Sequence, residues 1–319
     1  MKAIILAGGF ATRLWPITES RAKPLLPICS EPIISHIVKE IPPEIEIIIS
    51  TNLSFKNDFL KWSKKFSRPI KIFIEDAAEE DGKKGALGAT SLVIQEEKID
   101  EDIFLLAGDN LACFDFQKFL DFYQGNPTLA AFDIGSKEEA KRFGVVIAEN
   151  GKAKEFEEKP ENPRSTLVGT AYYLLPKKFL KDLIEYAKDN SDNMGGIFEH
   201  FISKGQEVNV FEFKEKWFDI GSFAQFLEAN LFFGEKEKGK DFLFSGQKTK
   251  IKNSLIKNSV IGENCEIKNC EIKNSIIFNN TSLNNTKIFN SVLDDNCLVE
   301  NLDISEKMIR QNSVLRSYA

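Results

Sequence analysis

An α/β fold with a mainly parallel, helix-covered sheet, followed by a C-terminal β-solenoid, is what this 319-residue sequence predicts, on the strength of two patterns. Before residue 110, short apolar runs alternate with stretches of helical spacing, the arrangement of strand–helix–strand units. Between residues 251 and 309, apolar side chains recur at spacings of five, five and six, a period of 16.

The first strands are read at residues 3–6, 46–50, 70–74 and 103–106, apolar runs of the kind found in strands buried on both faces. Helical spacing fills residues 33–41, 55–66 and 86–97 between them. In such a sheet ligands lie beyond the carboxyl ends of the strands, where Gly8 and the pair Gly108-Asp109 fall. Further strands are expected at 129–135, 144–148, 153–157, 167–174 and 207–213, with helices at 177–189 and 197–204. An amphipathic helix at 222–235 closes this domain, residues 1–236. The Lys- and Gly-bearing stretch 237–246 is the expected linker, and residues 247–319 form the solenoid.

Asparagines keep the solenoid's beat, at 253, 258, 264, 269, 274, 280, 285, 290, 296 and 301. Asparagine tolerates the left-handed region, so each marks a corner between short strands, giving a three-sided solenoid of about four 16-residue coils. In that geometry Cys265 and Cys297 lie two coils apart with Thr281 between them, roughly 9–10 Å at the usual strand spacing. That is too far for a disulfide. The five cysteines (29, 113, 265, 270 and 297) have no paired metal-type spacing and read as reduced packing residues.

Composition narrows the function classes. Hydrophobic content of 42% with 28% charged residues describes a soluble globular protein. The first apolar stretch ends after a few residues at Gly8-Gly9, too short for a secretory core or a membrane span, so a cytoplasmic location with no membrane partner is expected. Net charge is −6, and residues 245–319 hold ten Lys and Arg against eight Asp and Glu, which leaves −8 on the remainder. An acidic body without a basic stripe is a poor nucleic-acid binder. Anionic substrates must then be caught by local cations and metal ions.

Such cations stand in the first 27 residues. The strand at 3–6 runs into Gly8-Gly9-Phe10-Ala11-Thr12-Arg13-Leu14-Trp15-Pro16, and Lys23-Pro24-Leu25-Leu26-Pro27 follows. Glycines let backbone N–H groups approach a ligand closely, Arg13 offers a planar fork of donors, and Lys23 a point charge; together these suit a polyphosphate. The spacing is neither that of a P-loop nor that of a dinucleotide fingerprint. A glycine-rich strand-to-helix turn of no special purpose would account for Gly8 and Gly9, but not for basic residues and prolines at set offsets.

This run resembles the signature of sugar-1-phosphate nucleotidyltransferases, roughly G-G-x-G-T-R-L-x-P-x-T followed by K-P-L-[LV]-P. Thr12, Arg13, Leu14, Pro16, Thr18 and residues 23–27 match, while Ala11 stands where the family usually has glycine. If that position needs positive φ, alanine costs roughly 1–2 kcal/mol there. The resemblance implies a Rossmann-like mixed sheet for the first domain and a left-handed β-helix for the second. It further implies Mg²⁺-dependent transfer of a nucleoside monophosphate from a nucleoside triphosphate to a sugar 1-phosphate, with pyrophosphate released. Glucose 1-phosphate with dTTP or UTP is the expected pair, and mannose 1-phosphate with GTP its nearest competitor.

By the same resemblance, Arg13, Lys23 and Lys159 are the catalytic cations. Leu6, Gly8, Gly9, Ala11, Glu75 and Gly85 take the nucleotide; Asn110, Gly144, Glu158, Lys159 and Tyr172 take the sugar phosphate. Asp109, in Leu106-Ala107-Gly108-Asp109-Asn110, and Asp219, in Trp217-Phe218-Asp219-Ile220-Gly221, match the family's metal-binding G-D and W-x-D-x-G elements. Glu158-Lys159-Pro160 matches its E-K-P element. As a residue pattern alone, Asp219 before a helix would also serve as an N-cap, and Glu158 with Lys159 as a solvated hairpin-end pair. Glu75, an acceptor when ionised, suits a base edge carrying N–H donors, whereas thymidylyl enzymes tend to have glutamine; the base stays open.

Two other classes compete. A regulatory subunit of the same fold that only binds nucleotide or sugar nucleotide is favoured by Ala11 and opposed by the retention of Arg13, Lys23, Asp109, Lys159 and Asp219. A solenoid acyltransferase would need a histidine base, and residues 245–319 contain none. His36 and His200, the only histidines, sit in helical patterns as packing or surface residues. The solenoid is therefore expected to serve packing, homo-oligomerisation or regulation.

Overall fold

The computed structural model describes residues 1–9, 11–75 and 84–317. In chain order its first elements are β1 (Lys2–Leu6), β2 (Pro27–Ile28), β3 (Glu31–Pro32), α1 (Ile33–Glu40), β4 (Glu46–Asn52), α2 (Lys56–Ser63), β5 (Ile70–Glu75) and α3 (Ala86–Glu96). There follow β6 (Ile103–Ala107), β7 (Asn110–Ala112), α4 (Phe116–Phe122), β8 (Thr128–Asp133), α5 (Lys137–Ala140), β9 (Gly144–Glu149), β10 (Lys152–Glu158) and β11 (Leu167–Leu175). Then come α6 (Leu180–Ala187), α7 (Gly196–Ser203), β12 (Asn209–Phe213), β13 (Trp217–Asp219) and α8 (Phe223–Lys238), and β14 (Leu243–Ser245) to β27 (Val314–Arg316) build the solenoid. Contacts divide the chain into two units, residues 1–9 with 34–219 and residues 10–33 with 220–319.

The first unit is built on a nine-stranded sheet of order β5-β4-β1-β6-β11-β8-β12-β10-β9. Strands β5, β4, β1 and β6 are parallel, so their carboxyl ends open on one edge. Register places Leu6 beside Ser50 and Ala107, and Asn52 beside Glu75, at that edge. From β11 onward the pairing becomes mixed, with β11 antiparallel to both β6 and β8. One face buries Leu87, Val93, Leu105, Leu129, Phe198 and Phe201 in a single core. Aromatic rings fill another region: Phe104 lies 5.6 Å from Phe116, and Phe114 4.6 Å from Phe213, centroid to centroid. Phe104 is wholly buried, and truncating it to Ala would cost about 3–5 kcal/mol.

Local signals set the element ends. Asp115 caps α4 by accepting from the Gln117 N–H at 2.9 Å, and Ser222 caps α8 by accepting from the Gln225 N–H at 3.3 Å. Since Ser222 holds the cap, Asp219 is not spent on it. α4, β7 and β13 escape the sequence pattern because each is short.

In the second unit, β14–β27 form three parallel sheets of five, five and four strands. Each strand pairs with one 16 residues on, as Ile251 with Ile267 and Ile267 with Leu283. All ten predicted corner asparagines have φ between 44° and 60°. Their side chains stack from coil to coil, Asn285 Nδ2 donating to Asn301 Oδ1 at 2.8 Å and Asn280 Nδ2 to Asn296 Oδ1 at 3.1 Å. The hydroxyls that follow many of them make a second ladder, in which the Ser275 N–H donates to Ser259 Oγ and the Ser291 N–H to Ser275 Oγ. The Cys265 and Cys297 N–H groups donate to Thr249 and Thr281 in the same way, and none of the five cysteines forms a disulfide. Among the described residues no helix is long and apolar enough to cross a membrane.

Candidate functional site

The open edge of the parallel strands carries a pocket of about 180 Å³ lined by Leu6, Gly8, Gly9, Glu75, Gly85 and Asp192, with Ala86 and Ala89. Strand β4 fixes the glycine turn above β1. The Ala7 N–H donates to Ser50 O at 2.7 Å, Thr51 Oγ1 to Ala7 O at 3.2 Å, and Asn52 Nδ2 to Gly8 O at 2.9 Å. Gly8 is required by close approach, because a Cβ there would stand 2.7 Å from Glu75 Oε1.

Glu75 itself is 5% exposed, and its Oε1 accepts from the Ser50 hydroxyl at 2.8 Å. Burial raises its carboxyl above the usual range, while the Ser50 hydrogen bond and the charge of Lys84 pull the other way. Opposite it, Gly85 has φ 74°, and a Cβ there would fall 2.4 Å from Ser191 O. That same carbonyl accepts from the Leu87 and Gly88 N–H groups at 2.8 and 3.0 Å, satisfying donors at the start of α3. Four of the predicted nucleotide residues in this unit, Leu6, Gly8, Gly9 and Glu75, thus share one pocket with the fifth, Gly85.

The two aspartates are brought to one side chain. Asn110 Nδ2 donates to Asp109 Oδ1 at 2.9 Å and reaches Asp219 Oδ1 at 3.5 Å. Pairing of β7 with β13 sets Asp219 directly across from Asn110, and Trp217 Nε1 donates to Asn110 Oδ1 at 2.9 Å, fixing the amide's orientation. Two carboxylates held this way match the donor set of Mg²⁺, which takes one or two protein carboxylates and completes its shell with phosphate oxygens and water.

A third group sits at the end of the β9–β10 hairpin, where Gly144 pairs with Glu158. A Cβ on Gly144 would come 3.1 Å from Glu158 Oε2 and 2.2 Å from the Phe156 ring; one on Gly195 would come 2.5 Å from Glu158 Oε2. Two glycines therefore leave bare backbone around this carboxylate. Desolvation raises the Glu158 carboxyl, Lys159 lowers it and Glu199 raises it again. Lys159 Nζ stands 3.6 Å from Glu158 Oε1 and is 66% exposed, so it is accessible to an anion.

Tyr172 departs from expectation. It is fully buried, donates to Asn110 O at 2.7 Å and accepts from the Ala112 N–H at 3.2 Å, and burial pushes its hydroxyl far up. With its polar atom spent on backbone and its ring packed on Phe104, Phe114 and Phe116, it cannot touch a sugar; it braces Asn110 instead. Asp192 and Gly195 were missed from the sequence, lying in a polar, glycine-bearing stretch with no periodicity. His200 pairs with Asp182 at 3.2 Å.

Ala11, Arg13 and Lys23 belong to the second unit. Ala11 has φ 51° and ψ 45°, the left-handed conformation its position in the motif foreshadowed. Thr18 Oγ1 donates to its carbonyl at 2.8 Å, and Arg13 and Lys23 follow in the short turns Thr12–Leu14 and Lys23–Leu25.

The chain resembles several proteins of assigned activity. The chain is 29% identical over 232 residues to a mannose-1-phosphate guanyltransferase beta-B of Xenopus laevis, covering 71% of this chain and 63% of that one. It is 28% identical over 269 residues to a glucose-1-phosphate adenylyltransferase of Mycoplasma mobile, covering 76% and 69%. A crystal structure from Bacillus anthracis assigned as a glucose-1-phosphate thymidylyltransferase superposes with a TM-score of 0.65 at 26% identity, over 73% of this chain and 94% of that one. Residues 2–236 match the nucleotidyl transferase family, and the chain belongs to that family.

Proposed function

We propose that this protein transfers a nucleoside monophosphate from a nucleoside triphosphate to a hexose 1-phosphate. The observation that carries this reading is the convergence of Asp109 and Asp219 on Asn110, in the unit that also holds the glycine-lined pocket and the Glu158 cradle. A phosphate oxygen of the sugar 1-phosphate attacks the α-phosphorus, the bond from that phosphorus to the bridging oxygen of the β-phosphate breaks, and pyrophosphate leaves. The attacking oxygen is already anionic, so no general base is needed, and catalysis is positioning plus charge stabilisation.

Each residue then has a task. Gly8 and Gly9 bring backbone to the nucleotide, while Leu6, Ala86 and Ala89 give the base an apolar wall. Glu158 accepts from sugar hydroxyls and Lys159 binds the sugar phosphate. The resemblance assigns Arg13 to the leaving pyrophosphate and Lys23 to the reacting phosphates. Asp109 and Asp219 would hold Mg²⁺, which when bound neutralises phosphate charge and offsets repulsion between the two anionic substrates.

Glu75 selects among bases. An ionised carboxylate matches the adjacent N1–H and N2–H donors of guanine, whereas thymine and uracil offer one N–H flanked by carbonyls that it repels. GTP is therefore favoured over the dTTP or UTP expected from the motif, in line with the guanyltransferase relative. Pyrophosphate release across the common nucleoside triphosphates and several hexose 1-phosphates, with and without Mg²⁺, tests the reading. Turnover in the GTP column supports it; silence throughout would favour a regulatory nucleotide binder.

A further inference from the structure

The segment that carries Lys23 is fastened to the solenoid by one arginine. Arg21 Nη1 donates to Asp294 Oδ1 at 2.9 Å and Nη2 to Asp295 Oδ2 at 2.6 Å, and its guanidinium lies 4.6 Å from the centroid of the Phe278 ring. All three partners are on the solenoid, more than 250 residues away along the chain. The aspartates are themselves organised for this grip. The Asp295 N–H donates to Asp294 Oδ1 at 2.8 Å, and the Asn279 N–H donates to Asp295 Oδ1 at 2.8 Å. Asp294 is wholly buried, and its second oxygen, Oδ2, has no hydrogen-bond partner. Desolvation raises its carboxyl and Arg21 lowers it, so the guanidinium is what compensates a buried charge there.

Packing holds the segment from below, with Ala22 and Leu26 wholly buried, and Arg21 adds its charged tie to the solenoid. A cleft of about 600 Å³ opens beside Arg21, bordered by Leu25, Pro27, Phe278 and Asn279. Further polar ties come later in the segment, where Asn230 of α8 accepts from the Cys29 N–H at 2.8 Å and donates to Pro27 O at 3.3 Å. Glu19 pairs with Arg310, which is 61% exposed, and an exposed pair contributes little. Lys23 sits two residues after the Arg21 fork and four before Pro27.

We propose that Arg21 is a positioning residue: its fork on Asp294 and Asp295 makes the solenoid the support that sets Lys23 for phosphate binding. The proposal rests on the phosphate-binding role assigned to Lys23 above. It gives the solenoid a part in the reaction through contact with the signature segment, with no catalytic group of its own. Lysine cannot reproduce a fork spanning two carboxylates, so Arg21→Lys should restore only part of the function.

A double-mutant cycle in the full-length protein tests it, with pyrophosphate release from GTP and a hexose 1-phosphate read as kcat/KM. Arg21→Ala should lower kcat/KM at least tenfold, Asp294→Asn should follow it, and Arg21→Ala should add nothing further in a Lys23→Ala background. Val299→Ala, which opens a hole in the solenoid core without removing a group of the clamp, serves as the stability control; its kcat/KM should stay within twofold even where its melting temperature falls as far. A near-normal Arg21→Ala enzyme, a loss matched by Val299→Ala, or losses that multiply in the double variant would overturn the proposal while leaving Lys23's role intact. A near-normal Lys23→Ala enzyme would remove the functional reading of Lys23, and the proposal with it.

Discussion

The solenoid and the α/β unit both depend on unusual backbone, and they obtain it in opposite ways. In the solenoid, positive φ recurs at eleven asparagine corners, each hydrogen-bonded through its side chain to an asparagine 16 positions away. In the α/β unit, unusual residues are single and contact-driven: Gly8, Gly144 and Gly195 are small because Glu75, Phe156 and Glu158 press against them. Repetition lets a modest preference be expressed many times over, so a change at one corner is buffered by its neighbours. A site assembled from distant single contacts has no such reserve.

The largest effect should come from the carboxylates held on Asn110. Asp109→Asn should lower turnover on the order of a hundredfold or more, since metal-borne charge stabilisation is worth several kcal/mol, while near-ultraviolet circular dichroism stays native. Normal pyrophosphate release from that variant would break the assignment. Next, Gly195→Ala should raise KM for the sugar phosphate roughly tenfold or more and cost about 1–3 kcal/mol of stability, because its Cβ would meet Glu158 Oε2 at 2.5 Å. Steady-state kinetics with a chemical melt reads both.

Glu75→Gln sharpens the contrast at the base. It should shift kcat/KM from GTP toward dTTP and UTP, by roughly ten- to a hundredfold in the ratio, since the amide can donate as well as accept. The pH sign follows from burial, which raises the Glu75 carboxyl. The ionised form that accepts from guanine is lost as pH falls through this raised value, so GTP use should decline on the acid side sooner than for an ordinary glutamate. In Glu75→Gln that decline should vanish from the pH profile of kcat/KM.

The smallest effect is expected at Ala11, whose φ of 51° lies where the solenoid would use asparagine. Ala11→Gly relieves left-handed strain but adds freedom to the unfolded chain, for a net gain of about 1 kcal/mol or less. Turnover should stay within twofold. A large gain would show that the native turn limits catalysis and would favour a regulatory ancestry for the chain.

How much was legible in the sequence follows the same divide. The period of 16, the corner asparagines and the buried strands could be read because the determining neighbours are close by or at fixed offsets. The glycine run and both aspartates were legible as motifs, each set on a strand end. The contacts that make a site were not. Asn110 meets Asp219 across 109 residues, and Gly85 is pressed by Ser191 rather than by anything in its own helix. Asp192 and Gly195 sit in a stretch whose composition says only that it turns. Tyr172 illustrates the converse error: its place in the motif pointed at a sugar, and its burial among phenylalanines decides otherwise.

A competition among the four nucleotides distinguishes nucleotidyl transfer from mere nucleotide binding. The protein with Mg²⁺ is given an equimolar mixture of GTP, ATP, UTP and dTTP with mannose 1-phosphate or glucose 1-phosphate, and the nucleotide sugars formed are identified by mass. A GDP-sugar should be the main product, with pyrophosphate released in equal amount. No nucleotide sugar from any combination, with the protein folded and binding nucleotide, would contradict it.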